Sequence, residues 1–249
     1  MSKSYQFGYA AGRPQMYDAT SRVKKAERIV KILTDYFGAK NLKNLSVLDV
    51  GTSSGIIDNT LAPHFKKVIG IDIDVEAIKY ANKSFRKKNL EFKVADALEL
   101  PFKEKTFEVV ICTHVYEHVS NPSKLFKEIY KVLSPGGVCF LAAVNKWWIL
   151  EPHYDLPFLS WLPKNIAHYY VKAFGKASTY YETLFSYWTL KRLNQQFHIL
   201  EYTSKVLQQP KKYGFDDVLP DKSFLSLVAY LFSPLAQYYS PTLFWLLKK

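Results

Sequence analysis

The run VLDVGTSSG at residues 47–55 places Asp49 at the end of an apolar stretch, Gly51 in the turn that follows, and Gly55 where a helical pattern begins. A glycine turn between a strand and a helix N-terminus lets a ligand approach bare backbone N–H groups. Asp72 ends the next apolar run, 21 residues after Gly51, where a carboxylate usually accepts from both hydroxyls of a ribose. Together the two features predict a nucleoside-bearing cofactor. A dinucleotide site prefers a GxGxxG turn with no acid beside it, because a pyrophosphate sits on the helix N-terminus. Here the turn reads D-V-G-T-S-S-G. Asp49 would repel a pyrophosphate, yet it can order the loop and hold, directly or through water, the cationic amino group of an S-adenosylmethionine tail. This charge pattern favours S-adenosylmethionine over NAD.

Positioning these groups requires strands that end beside one another. Apolar runs of strand length occur at SVLDV (46–50), KVIGID (67–72), LEFKVA (90–95), FEVVICT (107–113) and VCFLAAV (138–144). Helical patterns at 22–37, 55–64, 75–87 and 122–133 alternate with them. Continuous apolar strands separated by helices imply an α/β fold with a parallel sheet covered on both faces. Asn121-Pro122 caps and starts the last of these helices, and Pro135-Gly136-Gly137 is expected to turn the chain into the fifth strand.

Four blocks, VLDVGTSSG (47–55), VIGIDIDVEAIKYA (68–81), VADALELPFKEKTFEVVICTHVYEHV (94–119) and LFKEIYKVLSPGG (125–137), resemble the class I S-adenosylmethionine-dependent methyltransferases. The resemblance is to the broad group that includes the ubiquinone and menaquinone biosynthesis methyltransferases. It covers roughly residues 45–145 and implies a doubly wound, mostly parallel seven-stranded Rossmann-like sheet, with S-adenosyl-L-methionine as cofactor and S-adenosyl-L-homocysteine as product. It further implies that Gly51, Thr52 and Ser53 contact the methionine moiety through their backbone, that Asp72 binds the ribose and that Ile73 packs on adenine. Asp96 would accept from the adenine amino group with Ala97 beside it, while Thr113, His114 and Val115 line the methionine side. The family usually has a second glycine where this chain has Ser53, so the loop carries a Cβ there. The cap of a turn is the plainer reading of Asp49, Asp72 and Asp96, and hydrogen-bonded packing that of His114 and His118.

Aromatic residues mark a second part: 24 of the 40 lie in residues 146–249, including all five Trp. An aromatic-rich insert after the fifth strand, 145–183, leaves the sheet edge where ligands of open α/β folds bind, and is expected to cover the acceptor. Asn145, Trp147, Glu151, His153 and Tyr154 are its polar or amphipathic candidates. His153 is the expected catalytic base, because a hydroxyl acceptor must lose its proton as the methyl arrives. A helix near 184–195, a strand near 197–203, an amphipathic stretch near 222–239 and an antiparallel final strand in PTLFWLLKK complete the pattern. The chain reads as a single domain, 1–249, with an N-terminal lid and first helix (1–45), a cofactor-binding core (46–144), the insert, and the last helix and strands (184–249). Should the insert be packing alone, the acceptor would sit near Tyr9, Arg13 and Tyr17.

At 249 residues and 28.8 kDa, with 48% hydrophobic and 22% charged residues, the chain can bury a large core, which excludes disordered, collagen-like and mini-protein classes. Cys112 and Cys139 stand apart in apolar surroundings with no ligand cluster, so both read as reduced buried thiols in a cytoplasmic protein, and no metal is expected. The N-terminal residues contain no signal-type stretch, and FLSLVAYLF (224–232) falls short of the roughly 20 residues that span a bilayer. The formal charge of +12 suits an anionic partner or surface. The expected acceptor is a small or lipid-linked amphipathic molecule methylated on oxygen, with peripheral membrane contact aided by that charge. The alternatives are an RNA methyltransferase, disfavoured because the charge is spread and CTHVYEHV stands where an Asn-Pro-Pro-Tyr motif would, and a non-catalytic cofactor-binding scaffold.

Overall fold

The computed structural model describes residues 13–220 and 223–249; Tyr9 lies outside them. Among the described residues nine strands run in chain order: β1 (Ser46–Val50), β2 (Lys67–Asp72), β3 (Leu90–Val94), β4 (Phe107–Thr113), β5 (Leu133–Val144), β6 (Leu150–Glu151), β7 (Leu156–Pro157), β8 (His198–Glu201) and β9 (Thr242–Lys248). The first helices are α1 (Ala19–Phe37), α2 (Ala39–Leu42), α3 (Ile56–Leu61), α4 (Val75–Ser84) and α5 (Pro122–Val132). After β5 come α6 (Lys164–Ala173), α7 (Tyr187–Leu193), α8 (Thr203–Gln208), α9 (Pro210–Tyr213) and α10 (Phe224–Tyr239).

Seven strands form one sheet in the order β3-β2-β1-β4-β5-β9-β8. β1 to β5 are parallel, and β9 runs antiparallel to both β5 and β8. The parallel strands are those the apolar runs imply, and the whole is the doubly wound, mostly parallel seven-stranded sheet implied by the resemblance. Its order reverses between β1 and β4, so the connections leaving their carboxyl ends diverge and open a crevice there. The side chains of the parallel strands alternate between two buried faces. Leu48, Val50, Val110 and Cys112 pack with α5 and Trp245 on one, and Val47, Val109 and Ile111 pack with α1 and α3 on the other. Both cysteines are buried and free.

Three boundaries differ from the sequence expectation for identifiable reasons. Pro135-Gly136-Gly137 does not turn the chain into β5; the strand already begins at Leu133 and carries the three residues as a bulge. Leu133 pairs with Phe107 and Val138 with Val109, and the Ser134 hydroxyl donates to the Phe107 carbonyl at 2.7 Å. Gly136 takes φ +76°, and a Cβ on Gly137 would stand 2.9 Å from the Glu108 carbonyl oxygen, so glycine lets the ladder absorb the extra residues. α4 stops at Ser84 because Phe85 turns extended. α1 begins at Ala19, earlier than its periodicity suggests, because Asp18 accepts the Thr20 N–H as a cap.

The insert folds on itself. β6 and β7 pair, and Tyr154, Leu156, Leu159, Ala167, Val171 and Tyr180 form a small core separate from the two sheet faces. Its two ends are pinned together, since Lys146 N–H donates to the Phe185 carbonyl, Asn145 bridges to Phe185, and the buried Tyr116 hydroxyl donates to Val144 O while accepting from Phe185 N–H.

Candidate active site

A cavity of about 370 Å³ lies at the carboxyl ends of the parallel strands, within the size range of small-molecule sites. Asp72, Ile73, Ala95 and Ala97, after β2 and β3, bound one side; Val144, Trp148, Pro152, His153, Pro241 and Thr242, after β5 and before β9, bound the other. Gly51, Ser53, Thr113, His114, Val115 and His118 form the floor between them, and Arg13, Gln15, Met16, Arg22 and Lys25 close it from the N-terminal side.

The glycine turn is held by β2: Gly51 and Thr52 N–H both donate to Ile71 O. Gly51 has φ +84°, and a Cβ there would come within 2.6 Å of Val115 Cγ2, so only a bare backbone fits between the turn and the loop after β4. Ser53 takes the left-handed conformation at φ +53° that the family fills with glycine, at a cost of about 1 kcal/mol or more. The compensation is direct, because its N–H donates to Asp72 Oδ2 at 2.8 Å. Asp72 Oδ1 accepts the Asp74 N–H at 2.9 Å, which fixes the carboxylate and leaves further lone pairs for ribose hydroxyls. Burial raises the Asp72 pKa against these amide donors.

Asp49 lies behind the turn rather than on the cavity wall. It is buried beside Asp58, whose Oδ2 accepts from the Thr52 hydroxyl, and neither Asp49 Oδ1 nor Asp58 Oδ1 receives a donor from the described residues. Burial, then the facing Asp58 charge, raises the Asp49 pKa well above the carboxylate range; burial likewise pushes Asp58 up to about 7. A buried carboxyl whose Oδ1 lacks a hydrogen-bond partner among the described residues, beneath a turn that excludes a Cβ, fits a cationic amino group above it. Those two features, with the anchored Asp72, fit S-adenosylmethionine. Thr52 is buried behind the turn, and Asp96 points its Oδ1 at Leu98 N–H beside the cavity rather than lining it; its neighbour Ala97 does line it.

At the acceptor side the structure gathers what the sequence leaves scattered. Glu117, Glu151 and Glu182 are all buried, and His114, His118 and His153 face them. His153 Nδ1 is 2.7 Å from Glu151 Oε1, and Glu151 Oε2 accepts the His153 and Tyr154 N–H groups, so one carboxylate closes the turn and orients the ring. His118 meets His153 edge to face at 5.2 Å, and its Nδ1 lies 3.8 Å from Glu182 Oε1, as does Arg13 Nη2. Burial works to lower the His153 pKa, but the Glu151 hydrogen bond and the charges of Glu151, Glu117 and Glu182 outweigh it and raise it. Burial also opposes the Glu117 carboxylate, yet the facing His114, then the His118 and His153 charges, hold it down at about 2. One ligand atom each from Glu117, His118 and His153 lies within 4.8 Å of the others, close enough to share a cation. No spacing in the sequence announces this trio; His118 reads there as hydrogen-bonded packing, and Glu117 falls in a block given only for its resemblance.

The insert candidates divide. His153 lines the cavity, whereas Asn145 is a structural clamp, with Oδ1 accepting Trp147 N–H and Nδ2 donating to Tyr238 O. Tyr154 belongs to the insert's own core. Trp147, expected in the pocket, instead packs on Trp161 outside it at 5.6 Å, and the next residue, Trp148, turns inward because its N–H bonds Asn145 O.

Residues 48–141 match the family described as a methyltransferase domain. The chain is 30% identical over 167 residues to a ubiquinone biosynthesis O-methyltransferase of Rickettsia akari, covering 64% of this chain and 64% of that protein. It is 32% identical over 146 residues to the same-named protein of Pelagibacter ubique, covering 55% of this chain and 59% of the other. The match to the mitochondrial rat protein covers 36% of that protein at 33% identity. The chain thus spans less than two thirds of the length of these relatives. Among solved structures, a chain from a complex between the Haloferax volcanii Trm112 methyltransferase activator and a methyltransferase superposes with TM-score 0.60 at 16% identity, covering 98% of this chain and 99% of the other. A S-adenosylmethionine-dependent methyltransferase of Methanosarcina mazei superposes with TM-score 0.52 at 23% identity, covering 69% of this chain and 89% of the other. The sheet order, the glycine turn with its acids and the matched residues 48–141 give this chain a methyltransferase domain on a Rossmann-like sheet that fits S-adenosylmethionine, and the chain is similar to the ubiquinone biosynthesis O-methyltransferases.

Proposed function

We propose that the protein methylates a hydroxyl oxygen of a small or lipid-linked amphipathic acceptor, with His153 as the general base. The observation that carries this reading is the Glu151–His153 pair on the cavity wall, 2.7 Å apart. When bound, S-adenosylmethionine supplies an activated methyl on a sulfonium that leaves as a neutral thioether. The chain's own work is to hold an acceptor in line, exclude water and take up a proton. Glu151 fixes the tautomer with the proton on Nδ1, which leaves Nε2 with the lone pair that accepts the hydroxyl proton. A base of this kind serves an acceptor that must lose a proton, which favours oxygen. Gly51, Ser53, Asp72, Ile73, Ala97, Thr113, His114 and Val115 on the cavity wall are the proposed cofactor contacts, Thr52 and Asp96 stand beside them off the wall, and Asp49 acts on the amino group from behind the turn. The name shared by the relatives supports a quinone-type, lipid-linked acceptor.

Calorimetry with S-adenosylhomocysteine and NAD, followed by a methyl-transfer screen over phenolic, lipid-linked and sugar acceptors, tests the proposal. The expected result is binding of the adenosyl ligand alone and turnover on hydroxyl acceptors that falls in the His153→Ala variant. Preference for NAD, or full turnover without His153, overturns it.

A further inference from the structure

α10, FLSLVAYLFSPLAQYY, contains no charged residue. An ordinary surface helix buries its apolar stripe and shows water its polar one. α10 does the reverse. At helical spacing Ser226, Ala229, Ser233 and Ala236 form one narrow stripe, and Ser233 and Ala236 are its buried residues. This stripe packs on α8, where Ser233 O accepts from the Ser204 hydroxyl at 2.7 Å and its Oγ accepts from Gln208 Nε2 at 2.9 Å. The opposite arc presents Phe224, Leu225, Leu227, Leu231, Phe232 and Leu235, with Phe224 82% and Leu231 63% exposed. Single exposed apolar side chains are unremarkable, but a contiguous uncharged face along a helix of about 24 Å marks an interaction surface.

The surroundings of the face indicate its occupant. α8, which supports it, carries Lys205 and no acid, and α9 after α8 carries Lys211 and Lys212 and no acid. Lys212 is engaged by Asp35, so Lys205 and Lys211 supply the local positive charge. An interfacial helix usually carries such lysines on its own polar face; here that face is spent on α8, and the neighbouring elements provide them. A second copy docking on this face would bring like charges together in a chain of formal charge +12, whereas anionic headgroups would complement them. No helix among the described residues is long and apolar enough to cross a membrane, so α10 would lie in the interface. Its C-terminal end leads to the cavity: Asn145 Nδ2 donates to Tyr238 O, Asn145 N–H donates to Pro241 O, and Pro241 and Thr242 line the wall.

We propose that the outward face of α10 docks the protein on the surface of an anionic phospholipid bilayer, beside the mouth of the methyl-transfer cavity. Its purpose rests on the reading of the acceptor as lipid-linked; its physics rests on α10 alone. The test is co-sedimentation of the full chain, without acceptor, with vesicles of phosphatidylcholine and phosphatidylglycerol and with vesicles of phosphatidylcholine alone. The wild type is expected to bind the anionic vesicles. A Leu227→Glu, Leu231→Glu double variant should bind at least roughly tenfold more weakly, with S-adenosylhomocysteine affinity unchanged as the check on folding. Lys205→Glu with Lys211→Glu should remove the preference for phosphatidylglycerol. A wild type that ignores both vesicles overturns the proposal. So does a dimer that the double variant dissociates with no vesicle binding, which would assign the face to a second copy. Vesicle binding without turnover on any lipid-linked acceptor would refute the acceptor reading and leave the docking face supported.

Discussion

Asp72 is held by the Ser53 and Asp74 amides, so its remaining lone pairs are the ones a ribose can use. Replacing it with Ala is expected to weaken S-adenosylhomocysteine by about 1.5–3 kcal/mol, the scale of a hydrogen bond to a charged group. Calorimetry on a variant with native circular dichroism checks this, and unchanged affinity would place the ribose elsewhere. In the proposed role of base, His153 must be neutral. Its pKa is raised above the ordinary 6.5 by Glu151, so kcat should climb with pH through a midpoint above that value. Glu151→Gln removes the largest raising influence and should move the midpoint to lower pH while lowering the plateau; His153→Ala should cost about 100-fold or more in kcat. A pH profile that Glu151→Gln leaves in place would argue against the pair.

Among the elements, the insert and the turn before α3 carry the sharpest expectations. Trp148, not Trp147, faces the cavity. Trp148→Ala should therefore raise the acceptor KM with little change in cofactor affinity, and Trp147→Ala should leave both near wild type; the reverse ranking in steady-state kinetics would sink this placement. Beneath the glycine turn, Asp49 and Asp58 share a dry environment that raises both pKa values. A cationic amino group arriving above them favours the ionised form, so binding of S-adenosylhomocysteine should release a proton near neutral pH. Calorimetry in buffers of different ionisation enthalpy reads that proton directly. A binding enthalpy independent of buffer would mean that the pair does not sense the ligand. The sign for stability follows too: with folded pKa values above the unfolded ones, the pair stabilises the fold most at pH values below the unfolded carboxyl range, and this contribution is lost as pH rises toward about 7.

For the whole molecule, the sheet and its two faces set the accessibility of everything inside. Cys112 and Cys139 are fully buried on adjacent strands, and burial raises both thiol pKa values. A thiol reagent should therefore label the native chain only at the rate of opening, and labelling should rise together with the loss of circular dichroism in denaturant. Rapid labelling of the folded protein would contradict the packing of β4 against β5.

What the sequence by itself determined is local. Strand and helix periods, the Gly51 turn, the spacing from it to Asp72 and the Asn121-Pro122 cap are each written within a few residues, because backbone conformation and turn chemistry depend on near neighbours. Even the bulge at Gly136 is announced as glycine, although the pairing that turns it into strand comes from Phe107 on another element. Tertiary structure decided the rest. Glu117, Glu151 and Glu182 meet the three histidines only because the loop after β4 and both ends of the insert converge over one sheet edge. Trp148 rather than Trp147 points inward because Asn145 anchors that turn. The amphipathic pattern of α10 is legible in the sequence, but its orientation is not: the period shows that two faces exist, and only the serine–glutamine contact with α8 decides that the apolar one faces outward.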